Sequence, residues 1–331
     1  MENSAKPPRR IALQQLGAFS IAAAFATPRA FAQTYPDRPI RIVPFGAAGG
    51  PIDIITRLYG DKLRALWGQP IVVDPKPGAS GIIAADFVAK APPDGHTLMF
   101  TLPLTHVNAA ILNPKLPYDP LRDFEPISML GTGSPLMLTR ADAPYSSLKE
   151  YVAHVKRQGK SSYDTWGIGS GAHLYGELLK RQAGIDMVHV PYRAEAGSYN
   201  DLFGGVLDAM WANPGSARGH LQAGKVKILG VAGSRRMSLF PAVSTFAEQG
   251  FTGFDIDSWI GVYAPAKTPA TILEKLTTAM REITRLPDVQ ARLLDIGFEP
   301  LGNTAAEFFA RYKADYPRLS ELIKAAGVTA E

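Results

Sequence analysis

Short apolar runs alternate with amphipathic ones along most of the chain. IRIV (40–43), PIVVD (70–74), TLMF (97–100), MVHV (187–190), KILGVA (227–232) and WIGVYA (259–264) are short and rich in branched or large apolar residues, which predicts strands. The intervening runs have helical spacing. In PIDIITRLYGDKLRALWG, Ile52, Ile55, Tyr59, Leu63 and Leu66 recur at intervals of three and four, and Pro51 suits the first helical position. GIIAADFVAKA, HLYGELLKRQAG and ATILEKLTTAMREITRL read the same way. TAAEFFARYKADYPRLSELIKAAG is helical at both ends, with a kink or break expected at Pro317. Strand and helix in alternation predict an α/β protein with mainly parallel sheet.

The chain contains no internal repeat of 20 to 50 residues and no low-complexity linker. Without a linker, two domains of ordinary size imply a chain that passes between lobes more than once. ISMLGTGSPLMLTRA (127–141) and FDIDSWIGVYAPA (254–266) are the expected crossovers, extended segments that double as hinges.

Residues 1–32 change the compartment in which any chemistry must be placed. Lys6, Arg9 and Arg10 precede the apolar LGAFSIAAAFA, and Ala30-Phe31-Ala32 precedes Gln33, the pattern of an export signal cleaved after Ala32. The apolar core is shorter than the roughly 20 residues that span a bilayer. The Arg9-Arg10 pair leaves open a twin-arginine route beside the general secretory (Sec) one. The expected location is the periplasm.

The formal charge of +5 includes +3 from this signal, where Lys6, Arg9, Arg10 and Arg29 outweigh Glu2, so +2 remains on the mature chain. With no run of five or six like charges and no basic stripe, nucleic acid is not an expected partner. Cysteine is absent, which excludes disulfides, thiolate nucleophiles and sulfur-ligated metals. At 46% apolar composition the mature chain can build its own core, as one large domain or two of ordinary size.

Two glycine-rich turns carry the candidate chemistry. VPFGAAGGPID (43–53) leads from a strand into a helix, a geometry that exposes backbone N–H groups at the positive end of the helix dipole. The alternative is that Gly46, Gly49 and Gly50 only turn the chain. This loop contains no Gly-Lys-Ser/Thr, so it is not a nucleotide P-loop. DTWGIGSGAHLYGELL (164–179) repeats the arrangement with Gly167, Gly169 and Gly171. Two such turns in separate halves of an α/β chain suit one ligand clamped between two lobes.

Gly167 to Ala172 also fits the dinucleotide pattern GxGxxG/A, which with twin-arginine export would suit an exported NAD(P)-dependent oxidoreductase. Against it, the preceding SSYDTW is polar, and Pro191, Tyr192 and Arg193 stand where a ribose-binding acid is needed. No GxSxG or HExxH occurs, and the six histidines are scattered without metal-ligand spacing, so neither hydrolase nor metal site is expected. His189 reads as structural; His173, on the first turn after the second glycine loop, could be structural or hydrogen-bond near a ligand. Asp53 reads as a cap of the first helix turn or a partner for a ligand ammonium, and Asp208 as its counterpart from the other half. Trp166 and Trp259 could pack in the core or form a flat wall for a planar ligand.

These residues together resemble the Bug-type extracytoplasmic solute receptors of tripartite tricarboxylate transporters. The resemblance runs through YPDRPIRIV, the loop ending in Asp53, KPGASG (76–81), APPDGHTL (91–98), LPYDPLRDFEPIS (116–128), the loop ending in AHL (172–174), VHVPYR (188–193), the GG-x-x-D of Gly204 to Asp208, and SWIGVYAPAKTP (258–269). It implies a two-lobed Venus-flytrap (type II) fold, with lobe one from 33–135 plus 257–331 and lobe two from 136–256. It implies a monomeric receptor, neither catalysis nor a cofactor, small organic carboxylates as ligands, and the membrane subunits of the transporter as partners. A sensor reporting to a signalling protein is compatible with the same pocket.

Carried onto this chain, the implied ligand-binding positions are Phe45, Gly49, Gly50, Asp53, Ser80, Thr101, Gly167, Gly169, Ser170, His173, Tyr192 and Asp208. Three departures flank the implied cleft: Thr165-Trp166 where relatives carry two serines, Arg193-Ala194-Glu195 where lysine-glycine-serine is usual, and Ala212 for an aspartate. Trp166 would flatten or narrow the site. Arg193 would add a charge for a second carboxylate unless Glu195 neutralises it.

Overall fold

The computed structural model describes Met1, residues 35–192 and residues 194–329. The export signal and Arg193 therefore lie outside the described residues. Arg38–Glu331 form one unit by themselves. Its first half contains β1 (Ile40–Pro44), α1 (Pro51–Trp67), β2 (Ile71–Val73), α2 (Ile82–Ala89), β3 (Thr97–Thr101), a π-helical turn (Leu104–Asn108), α3 (Ala109–Leu112) and β4 (Phe124–Gly133). There follow β5 (Leu136–Arg140), α4 (Leu148–Gln158), β6 (Ser161–Thr165), α5 (Gly171–Ala183), β7 (Met187–Pro191), α6 (Glu195–Phe203), β8 (Met210–Ala212), α7 (Pro214–Gln222) and β9 (Val226–Val231). The chain ends with β10 (Ser258–Pro265), α8 (Ala270–Thr284), α9 (Pro287–Asp295), β11 (Phe298–Pro300) and α10 (Ala305–Ala326).

Strands before residue 134 and after residue 257 build a six-stranded sheet in the order β11-β4-β10-β3-β1-β2. β1 is parallel to β2 and β3, whereas β10 is antiparallel to β3 and β4, and β11 to β4. The sheet is thus mixed, and parallel where the first glycine loop leaves it. The antiparallel part has a topological cause: β4 leaves the sheet for the second half and β10 returns, so neighbours in space run in opposite directions. Those two segments were expected as crossovers; most of each is sheet, paired from Ser258↔Gly133 to Pro265↔Phe124.

The middle of the chain builds a three-stranded sheet, β8-β5-β9, and a parallel pair, β6-β7, linked by a parallel bridge from Tyr163 to Ala209. β5 is antiparallel to β8 and β9. β6, β7, β8 and β9 therefore share a direction, and their carboxyl ends lie along one edge. The architecture is a two-lobed α/β fold, one lobe around each sheet system.

One buried apolar cluster runs from Val43, Met99 and Trp259 to Tyr163, Leu174 and Trp211. Trp259 stands edge-on to Phe308 and donates from Nε1 to Asp315 at 3.2 Å, a core role. On α1, Ile52, Ile55, Tyr59 and Leu63 are buried, but Leu66 in the last turn is 50% exposed. α10 runs unbroken through Pro317 for 22 residues, contrary to the expected break. Pro317 faces solvent, and buried Tyr312, Asp315, Leu319 and Leu322 anchor the helix on both sides of it, which offsets the roughly 3 kcal/mol an interior proline costs. Among the described residues no helix is long and apolar enough to cross a membrane, and no group of three acids, histidines or cysteines could hold a metal.

Candidate functional site

The first glycine loop lies at the carboxyl end of β1 and turns into α1 with Pro51 at its first position. Gly49 has φ of 81°, which only glycine adopts without strain. Its amide donates to Asp53 Oδ2 at 2.9 Å, and Gly50 donates to Ala47 O at 3.1 Å. Asp53 is 2% exposed and also receives Arg57 Nε at 2.9 Å and Nη2 at 3.0 Å. Burial pushes its pKa up, but Arg57 and the Gly49 amide together outweigh burial and hold it below the usual value. Asp53 therefore shapes the loop from beneath, buried and already charge-paired with Arg57.

Beside this loop, Ala79 (φ 46°) and Ser80 (φ 51°) are both left-handed, a conformation that costs a non-glycine residue about 1–2 kcal/mol. Strain of this kind is held only where the surroundings impose it. The next residue is packed tightly: a Cβ on Gly81 would lie 2.2 Å from Thr105 Cγ2 and 3.1 Å from Phe45 Cβ. Ser80, Phe45 and Thr105 are thereby brought together. Thr101, at the carboxyl end of β3, is fully buried; its hydroxyl bonds to that of Thr105, so it braces the site from behind.

The π-helical turn leaves carbonyls outside the regular helical ladder, and two tyrosines satisfy them. Tyr118 Oη donates to Thr105 O at 2.6 Å and Tyr312 Oη to His106 O at 2.9 Å. His106 stacks on Tyr263 at 4.1 Å, and burial lowers its pKa to about 3, so it is neutral. From this turn Asn108 Nδ2 donates to Gly169 O at 2.8 Å. A Cβ on Gly169 would lie 2.5 Å from Leu112 Cδ1. The second glycine loop is thus seated against Leu104–Leu112, a segment whose Thr105 packs against the Ser80–Gly81 turn, as Phe45 does.

That second loop is organised from within. Thr165 Oγ1 accepts from Gly167 N at 3.2 Å and bonds to His189 Nε2. Ser170 N donates to Gly167 O at 3.2 Å, its hydroxyl donates to the same oxygen at 2.7 Å, and Ser170 caps α5 by accepting from His173 N. Gly169 N donates to His173 Nδ1 at 3.2 Å. Burial, and then neighbouring His189, lower the His173 pKa to about 4. A neutral ring whose Nδ1 accepts carries its proton on Nε2. His173 therefore holds the loop and, stacked on His189 at 4.3 Å, closes its outer side.

The amides of Gly49, Gly50, Gly167, Gly169 and Ser170 are thus all engaged inside their own loops. For the amides of Gly46, Ala47, Ala48 and Ile168 no acceptor is found among the described residues. Gly49, Gly50, Gly167 and Gly169 shape the turns, and Gly46, Ala47, Ala48 and Ile168 keep their N–H groups unengaged among the described residues.

Trp166 and Ile168 are partly buried and pack against the core, as Leu112 does. The indole Nε1 is buried without an acceptor, as is Asn108 Oδ1 without a donor. Leaving such groups unmet costs about 1–3 kcal/mol each. Tyr192 follows β7, its amide donating to Thr165 O at 2.9 Å, but its hydroxyl turns to Asp201 at 2.5 Å. Glu195 caps α7 through Asn213 N at 3.0 Å and the Ser216 hydroxyl.

Asp208 is not at the site. It precedes β8 and accepts from Ser162 N at 2.8 Å, so it lies at the amino ends of the strands, the opposite edge from the loop that follows β6. Its GG-x-x-D turn is a strand connection. Conversely, Thr105 and Asn108 were not singled out from the sequence, although polar residues three and four apart in the apolar stretch after TLMF were a signal for them.

Residues 55–328 match the family described as the tripartite tricarboxylate transporter family receptor. The chain is similar to the solved periplasmic binding protein BugD, at 32% identity and a TM-score of 0.80, covering 90% of this chain and 100% of BugD. It is similar to Rpa4515 of R. palustris, solved with adipate, at 29% identity and a TM-score of 0.83, covering 90% and 100%. The third is MatC (Rpa3494) of Rhodopseudomonas palustris with bound malate, at 32% identity and a TM-score of 0.78, covering 87% and 100%. The chain belongs to the tripartite tricarboxylate transporter receptor family, as a Bug-type periplasmic solute-binding protein.

Proposed function

We propose that the protein captures a small organic carboxylate between lobe one, 33–135 plus 257–331, and lobe two, 136–256, and delivers it to the membrane subunits of its transporter. The observation that carries this reading is that the second glycine loop is seated on Leu104–Leu112, with Asn108 donating to Gly169, while the Ser80–Gly81 turn packs against both Phe45 of the first loop and Thr105 of that same segment. Amides of Gly46 to Ala48 on one side and Ile168 on the other grip the acid, and Phe45 and Trp166 wall its body. A ligand that touches both loops binds the shut form better than the open one, and that difference is what drives closure. The protein is a monomer without catalytic function, exported by the cleavable signal of residues 1–32 through the Sec or twin-arginine route. The adipate and malate held by two relatives support a carboxylate ligand.

A thermal-shift screen of carboxylic acids on residues 33–331 tests this. A ligand at 100 times its Kd adds about 2.7 kcal/mol, a readily measured rise in Tm. Acids are expected among the hits; a screen in which only uncharged sugars or amines stabilise the protein would overturn the reading.

A further inference from the structure

Two buried polar atoms, one on the second glycine loop and one on the residue that holds that loop, have opposite hydrogen-bonding character. Asn108, 4% exposed, commits its amide nitrogen to Gly169 O at 2.8 Å, which fixes Oδ1 as the remaining atom, an acceptor. Turning the amide over would set two carbonyl oxygens against each other. Trp166, three residues before Gly169 on the loop that Asn108 holds, keeps a buried indole N–H, which can only donate. A carboxylate can satisfy the indole. It cannot satisfy Asn108 Oδ1, because an ionised acid has no donor and would bring like partial charges together.

Resting on the receptor reading above, we infer that Asn108 and Trp166 are specificity-determining residues that select a hydroxycarboxylate: the indole N–H takes an acid oxygen and Asn108 Oδ1 accepts from the ligand's own hydroxyl. An amino acid fits less well. Its ammonium needs a carboxylate, and Asp53 is held by Arg57 and the Gly49 amide. Asp208 lies at the far edge of the strands. The buried uncommitted acceptor beside the second loop is therefore a neutral amide oxygen, which matches a hydroxyl.

Calorimetry on residues 33–331 with matched pairs tests this: succinate and malate, propionate and lactate, phenylacetate and mandelate, benzoate and 4-hydroxybenzoate. In the pair that binds, the hydroxylated member is expected to bind at least about tenfold more tightly, since a site built to bond a hydroxyl rejects the analogue without it. Asn108→Leu should erase that ratio. Trp166→Phe should weaken both members about equally and leave the ratio intact, without lowering the Tm of the free protein; this arm stands even if the Asn108 variant does not fold. Equal binding of both members by the wild type would overturn the inference while leaving the receptor reading in place. Binding of none of these acids would overturn both.

Discussion

At the scale of single residues, conformational constraint and protonation decide what each group can do. Gly169 combines φ of 75° with a methyl of Leu112 where a side chain would begin. Gly169→Val should lift the second loop off Leu104–Leu112 and abolish ligand-induced stabilisation. The circular dichroism of the free protein should be retained. At Gly49 a substitution would be strained only by the φ of 81°, because a Cβ there meets nothing within 4 Å. Gly49→Val should accordingly cost about 1–2 kcal/mol in chemical denaturation.

Protonation at Asp164 is measurable separately. This fully buried carboxyl on β6 accepts from Trp211 N at 2.6 Å, and burial raises its pKa to about 7. The folded protein then holds a proton that the unfolded chain releases near 3.8, so this group's stabilisation falls as pH rises from about 4 to 7. His173, lowered to about 4, works the other way: its contribution is present above 6.5 and is lost as pH falls toward 4. The Asp164→Asn variant lacks the opposing slope of that carboxyl. Its Tm should drop more steeply than wild type on acidification from pH 6.5 to 4, and exceed wild type above pH 7; parallel curves would show that Asp164 does not carry the shift.

At the scale of elements, what the sequence revealed depended on whether a segment is held by apolar packing or by polar bonds. β1, β2, β3, β7, β9 and β10 are apolar runs and were legible. β6, SSYDT, is equally buried but polar, because its side chains bond rather than pack: Ser161 to Tyr151, Tyr163 to Glu177, Asp164 to Trp211 N, Thr165 to Gly167 N. No hydrophobic period marks such a strand. β8 and β11 are three residues each, too short for any period to register. The glycine loops announced themselves through composition. The π-helical turn between β3 and α3 did not, since its irregular backbone is imposed by Tyr118 and Tyr312 from distant parts of the chain. Hence Thr105 and Asn108 were missed, while Asp208 was misplaced: a motif gives residue types but not the edge of the sheet on which they fall.

At the scale of the whole molecule, the carboxyl ends of β1 and β3 from one sheet and β6 and β7 from the other supply the site, and α/β folds bind ligands at such edges. The passage between sheets is narrow. β4 ends at Gly133 and β10 begins at Ser258, directly paired, so both connections leave the six-stranded sheet side by side. Asp257 accepts from Ser134 Oγ at 2.7 Å, Ser234 N at 3.1 Å and Ser234 Oγ at 2.7 Å, tying the outgoing and returning strands to the end of β9. A molecule with two adjacent, cross-tied spindles has a single axle. For the proposed receptor the expected consequence is lobes that turn as rigid plates, with the ligand released from both at one stroke.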